Sequence, residues 1–384
     1  MNNEAHQEVC RASTKINELE SLRGMAALLV VLFHIPKWNP ILEIGIINNG
    51  YLMVELFFVL SGFVIFNAYS QNINSKTDLL RFQFLRLGRL YPVHVLFLAV
   101  FFLFELGKYF AQLKLNIVSP NTQPFHENSM GAFVQHLILI QAIGSTGNAQ
   151  TFNIPAWSIS VEFYTYLVFG LSILCFRNAR PLLFSIIAMF SLVLLVTGNT
   201  FGAKDLLKCL AGFYIGCLTA GFAKQVKIAL PSYFPLAGMA LMGIFLHNKT
   251  SEYFDVAIYF LTSVLIVSLV FSEKGILKKI FNLRLLVFLG EISYSVYMSH
   301  TAVIWIVNQV LRVVLKKPEI AVAGGRITPQ LSQVESVAAP LVIVASVLII
   351  GYIVYHFLEK PMRNKSRLVA AQLFNKNLMN ETTV

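Results

Sequence analysis

The sequence predicts an all-α fold: a polytopic membrane protein with about ten transmembrane helices in a single bundle. Composition is the first reason. Of 384 residues, 56% are hydrophobic and only 13% are charged, against about 25% charged in soluble domains. Patterning is the second. The apolar residues form runs of roughly 16 to 25, long enough to cross a bilayer as a helix. The third is physical. Lipid offers backbone groups no hydrogen-bond partner, so a span must be a helix or a closed barrel. Continuous apolar runs lack the period-two alternation of barrel strands.

The expected spans are residues 20–36, 51–69, 91–110, 158–176, 181–198, 204–222, 231–247, 254–272, 288–312 and 338–358. A shorter apolar helix near 131–143 is expected to pack at the surface or dip into the membrane. An even number of spans puts both termini on one side. Positive charge identifies that side. One set of loops holds Arg11 and Lys15, then Lys76, Arg81, Arg86 and Arg89, then Arg177 and Arg180. It continues with Lys224, Lys227, Lys274, Lys278, Lys279 and Arg284, and ends with Lys360, Arg363, Lys365 and Arg367. The opposite loops hold Lys37, Lys114, Lys249, Lys316, Lys317 and Arg326. The first set, with both termini, is therefore expected in the cytoplasm, and the protein in a bacterial inner membrane. The net charge of +11 reflects this asymmetry and contact with anionic lipid, not nucleic acid. Membrane lipids are thus one partner.

The organisation reads as a cytoplasmic polar tail (1–18), one transmembrane domain (19–365) and a cytoplasmic tail (366–384). Residues 111–157 and 316–337 form the long outer loops, and long ordered loops often carry function. No internal repeat points to an inverted-repeat transporter. Cys10, Cys175, Cys209 and Cys217 form no CxxC pair or disulfide framework. The first span, lacking a small-x-small cleavage site, is expected to remain as an anchor. No metal site is expected, because His34 and His300 are placed on distant spans and no HExxH or clustered Cys/His spacing occurs.

Ionisable residues within spans are functional candidates, because lipid penalises them. Arg23 and His34 are eleven residues apart in the first span. That is three turns within about 20°, or roughly 16 Å along one face. Glu55 opens the second span among apolar neighbours. A carboxylate beside an imidazole fixes its tautomer and stabilises its cation, which makes a general base effective. A solvated interfacial carboxylate is the alternative for Glu55. Arg86 and Arg89 share a helix face and read as either a phosphate clamp or simple charge anchoring. Ser158 and Glu162, four apart, open the fourth span; Ser158 also reads as a helix cap. Glu162 reads as orienting an acceptor hydroxyl or supporting His34. The ninth span carries a polar stripe of Ser293, Tyr294, Tyr297 and His300, either binding residues or a tyrosine belt. Glu359-Lys360-Pro361 reads as structural, with the proline stopping the helix.

Taken in order, these segments resemble the acyltransferase-3 family of integral membrane acyltransferases. They are Leu22-Arg23-Gly24 with His34, and Gly50 to Glu55 with Phe57-Phe58-Val59-Leu60-Ser61-Gly62-Phe63. Arg86-x-x-Arg89-x-Tyr91-Pro92 follows, then Trp157-Ser158-Ile159-Ser160-Val161-Glu162-x-x-x-Tyr166. Gly290-x-x-Ser293-Tyr294-x-x-Tyr297-x-x-His300 and Glu359-x-Pro361 close the set, which spans about residues 18 to 365. Two departures stand out: Glu55 where many members have aspartate, and Thr165 where an aromatic residue is common. The esterase-like extracytoplasmic domain of some members is not expected here.

The resemblance implies transfer of an acyl group, commonly acetyl from acetyl-CoA, to a hydroxyl of a carbohydrate or lipid-linked glycan. Acyl-CoA would be a donor substrate, with no tightly bound cofactor. By position, His34 would be catalytic with Glu55 as its partner. Arg23, Arg86, Arg89 and Tyr91 would serve the donor. Trp157, Ser158, Glu162, Tyr294, Tyr297 and His300 would serve the acceptor. A proton-coupled transporter of a small solute, using the same His and Glu as a relay, is the alternative.

Overall fold

The computed structural model describes residues 16–380, apart from residues 118, 120, 145–148, 177–178, 227, 274 and 322–326. Cys10, Arg11, Lys15, Arg177, Lys227, Lys274 and Arg326 of the cysteine and charge readings lie outside the described residues. The helices of six residues or more, in chain order, are α1 Asn17–His34, α2 Met53–Tyr69, α3 Lys76–Leu115, α4 Met130–Leu137, α5 Ala156–Cys175, α6 Arg180–Thr197 and α7 Lys204–Gln225. There follow α8 Phe234–Asn248, α9 Ala257–Phe271, α10 Ile276–Phe281, α11 Arg284–Glu291, α12 Ser293–Gln309, α13 Gln333–Val354 and α14 Lys360–Asn380.

Seven helices among the described residues are long and apolar enough to cross a membrane. They are Gly50–Tyr69 (α2 with its leading turn), α3, α5, α6, α7, Glu252–Phe271 (α9 with its leading turn) and the rod Gln333–Phe374. Three more helices occupy expected spans but fall short of that test. In α1 the obstacle is charge, from Glu18, Glu20 and Arg23. In α8 it is length, only 15 residues. In α12 it is the polar stripe that the sequence already displayed. Length and composition thus support a polytopic helical bundle without establishing ten crossings.

Local chemistry sets the helix ends. Ser75 and Asp78 form a capping box at the start of α3, and Ser332 and Glu335 form another at α13. Gly198 ends α6 in the left-handed region at φ 74°, where a glycine carries no Cβ penalty. The expected surface helix near 131–143 is the shorter α4. A two-stranded hairpin, β1 Glu319–Ala321 with β2 Ile327–Pro329, departs from the all-α expectation within the second long loop. Pro361 does not stop a helix. A π-turn over Tyr355–Glu359 links α13 to α14, and Pro361 falls in the first turn of α14. A π-turn shifts the backbone hydrogen-bond register, so the rod continues past a residue with no N–H. The helix also passes residue 365, the expected domain edge, without a break.

In lipid, helix association rests on close packing instead of the hydrophobic effect, which favours small residues at crossings. The motif glycines sit at such crossings. A Cβ on Gly62 of α2 would stand 1.9 Å from the Phe213 carbonyl oxygen of α7. Gly216 meets the Val59 carbonyl in the same way, at 2.1 Å. At the α1–α11 crossing, a Cβ on Gly290 would stand 2.0 Å from the Glu20 carbonyl oxygen. Gly88 of α3 admits Ser366 of α14, whose Cβ would be 2.4 Å from an added methyl. An aromatic cluster of Phe82, Phe169, Phe184, Phe213 and Tyr214 fills the space between α3, α5, α6 and α7.

Candidate active site

These crossings bring six of the sequence-selected residues to one cavity of about 90 Å³. Arg23, Arg89, Ser158, Glu162, Tyr294 and Tyr297 all line it, with Ser61, Tyr166 and Ser293. Val54, Phe57 and Phe58 of α2 supply part of its apolar wall. The volume holds several waters or a short acyl group, not a nucleotide.

The polar lining is cross-linked. Glu162 accepts from Ser61 Oγ at 2.7 Å and from the Tyr166 hydroxyl. Tyr297 Oη lies 3.0 Å from both Ser158 Oγ and the Pro155 carbonyl oxygen. Ser158 therefore does not cap α5; it sits inside the first turn, with Pro155 at the cap position. Tyr294 donates to the Leu90 carbonyl at 2.5 Å, tying α12 to α3 beside Arg89. Arg89 lies within electrostatic reach of Glu359, Glu20 and Glu162. Glu359 accepts from Ser295 Oγ at 2.7 Å. Arg23 pairs with Glu20 at 3.4 Å.

His34 and His300, far apart in sequence, are neighbours in space: their ring centroids are 4.7 Å apart. His34 Nδ1 is 2.9 Å from the Val30 carbonyl oxygen, and His300 Nδ1 is 2.5 Å from that of Tyr297. A carbonyl only accepts, so each Nδ1 carries the proton and each Nε2 holds the lone pair when the ring is neutral. The Nε2 of His300 is buried and receives no hydrogen bond among the described residues. The Tyr297 ring is 5.8 Å from His300, so the cavity wall is one ring removed from the imidazole pair.

Glu55 has a partner that the sequence reading did not name. Its buried carboxylate lies 2.8 Å from Lys208 Nζ of α7, with side-chain exposures of 2% and 15%. The bond that fixes the tautomer of His34, a role expected of Glu55, comes from the Val30 carbonyl. Nothing in the local sequence marks Lys208, which sits one turn into α7 as an interfacial lysine would.

The remaining selected residues lie outside the cavity lining. Arg86 donates to the Tyr69 hydroxyl at 2.9 Å, and its guanidinium stacks over Tyr69, Phe82 and Tyr166 at 5.1 to 5.9 Å. Tyr91 donates to the Leu137 carbonyl at 2.8 Å, joining α3 to α4. The Trp157 ring packs edge-on against Phe58 at 5.9 Å. These three contacts hold helices together.

The fold and the cavity define a class: a bundle of helices of membrane length and composition, with a small, mostly apolar chamber that carries a linked polar cluster beside a pair of imidazoles. Comparison with known proteins makes it specific. A family model described as an acyltransferase domain matches residues 16–356, and the chain belongs to this acyltransferase-3 family. Among relatives, the O-acetyltransferase OatA of Staphylococcus aureus (strain NCTC 8325 / PS 47) is 24% identical over 326 residues, covering 76% of this chain. The match takes in 51% of OatA, so the chain spans about half the length of that relative. Protein 2 in the picA locus of Rhizobium radiobacter is 32% identical over 165 residues, 40% of this chain and 79% of that protein. No solved structure matches.

Proposed function

We propose that the chain is a membrane O-acyltransferase. It moves an acyl group, acetyl by default, from cytoplasmic acyl-CoA to a hydroxyl of a carbohydrate such as a cell-surface glycan or glycolipid. One observation carries the reading: a chamber with Arg23 and Arg89 in its lining and Tyr297 in its wall, next to His300 and His34. The similarity to OatA, named as an O-acetyltransferase, supports acetyl as the group moved.

Acyl-CoA docks its phosphates from the basic side, where guanidinium forks suit phosphate oxygens. Arg89 is the principal contact. Arg86 keeps the α2–α3–α5 packing that presents it. The acyl end enters the chamber, whose volume fits an acetyl group. The acceptor hydroxyl attacks the thioester carbonyl carbon and gives its proton to His34 Nε2. The carbon–sulfur bond breaks, CoA thiolate leaves, and the protonated His34 Nε2 returns its proton to the thiolate, which restores the neutral base. The product is an O-acyl ester and free CoA. Ser158, Glu162, Tyr294 and Tyr297 shape the chamber and hold its polar lining. His300 keeps the His34 ring in place.

The test is incubation of the purified protein with labelled acetyl-CoA and a panel of glycans, read by mass spectrometry. An acetylated glycan is expected. Solute flux across proteoliposomes without any covalent product would replace this reading with the transporter.

A further inference from the structure

A second, larger cavity lies where α6 ends and α7 and α9 begin. Its volume is about 550 Å³, in the range of small-molecule sites. Its lining is hydroxylic and ion-paired. Thr200, Thr250 and Ser251 contribute hydroxyls, and Tyr253 and Tyr259 contribute rings. Every lysine in the lining is neutralised. Lys204 pairs with Glu252 at 3.1 Å, and Lys208 pairs with Glu55 at 2.8 Å. The lining carboxylate Asp255 pairs with Lys249 at 2.6 Å and accepts from Tyr51 at 3.2 Å. An anionic ligand would find no unmatched positive charge here. A neutral polyol would find paired donors and acceptors, and a flat apolar ring in Tyr253, which is 73% exposed.

One ion pair links the lining of this cleft to the helix that walls the chamber. Lys208 lines the cleft, while Val54, Phe57 and Phe58, flanking Glu55 on α2, line the chamber. The Glu55–Lys208 pair therefore connects the two linings. A second link runs from Asp255 through Tyr51 to Phe33, 5.6 Å ring to ring, and from Phe33 to His34 at 4.9 Å.

We propose that this cleft holds the acceptor as a neutral carbohydrate, stacked on Tyr253. The inference rests on the acyltransferase reading and moves the acceptor away from Trp157, to which the resemblance assigned it.

Saturation-transfer NMR on the purified protein with chitotetraose, maltotetraose and cellotetraose reads binding without turnover. The wild type is expected to bind at least one of them. Tyr253→Ala should lose the signal or weaken binding tenfold or more, and Tyr253→Phe should retain it. Tyr233→Ala, another exposed ring (63%) outside this lining, should bind as the wild type does. Equal binding by Tyr253→Ala and wild type would overturn the inference, as would no binding of any neutral oligosaccharide. Binding as expected with no acetylated product from acetyl-CoA would remove the enzyme reading, and with it the acceptor role, and leave the cleft as a carbohydrate-binding site.

Discussion

Removing Lys208 tests the ion pair and the energetics of the site together. The Glu55 carboxylate is almost fully buried, and its ion-pair partner is Lys208 Nζ at 2.8 Å. Neither carboxylate oxygen receives a further hydrogen bond among the described residues. Lys208→Met therefore leaves a buried charge uncompensated, which costs about 3–5 kcal/mol. The double variant Glu55→Gln/Lys208→Met removes both charges. Replacing a buried pair with neutral groups is often close to neutral in stability, so the double variant should recover most of the loss. Thermal unfolding in detergent, followed by intrinsic fluorescence, ranks the four proteins of the cycle. Acyl transfer measured on the same samples separates the two roles of Glu55. If the carboxylate acts in the reaction, the double variant regains stability and not activity. A Lys208→Met protein within about 1 kcal/mol of wild type would refute the reasoning, because a solvated carboxylate needs no partner.

Other perturbations follow from the same geometry. His34→Ala should lower transfer by about 10²- to 10⁴-fold, the usual worth of a general base, while size-exclusion chromatography shows an intact monodisperse protein; a loss below tenfold would reject His34 as the base. Arg89→Ala should raise the acetyl-CoA concentration needed for half-maximal rate; an unchanged donor dependence would remove it from the donor site. Gly62→Ala drives a methyl against the Phe213 carbonyl, a backbone atom that cannot swing aside. It should destabilise towards the upper end of the ~1–3 kcal/mol typical of overpacking, read as a lower unfolding temperature.

The helices were legible because apolar runs of membrane length leave the backbone little alternative. Much of the chamber was legible too. Arg23, Arg89, Ser158, Glu162, Tyr294 and Tyr297 are polar residues in apolar helices, and polar groups inside a bundle turn towards one another. The partners were not legible. Lys208 sits near the start of α7, where a lysine has an ordinary reason to be, and only the α2–α7 crossing reveals that it meets Glu55. His34 and His300 are separated by most of the chain, so their 4.7 Å approach depends on α1 packing against α12. Tyr91 and Trp157 lie outside the chamber lining: one donates to a backbone carbonyl and the other packs beside Phe58. Pro361 misled because a proline stops a helix only when the hydrogen-bond register around it is fixed.

The long third helix acts as a shaft. Its 40 residues extend roughly 60 Å, twice the hydrocarbon thickness. Against it, Ser366 is wedged at Gly88, one residue before Arg89, and Phe374 touches Phe84. The two rods are thus keyed together next to the guanidinium assigned to the donor. A pull on the C-terminal rod would be transmitted to that guanidinium without any intervening loop to absorb it.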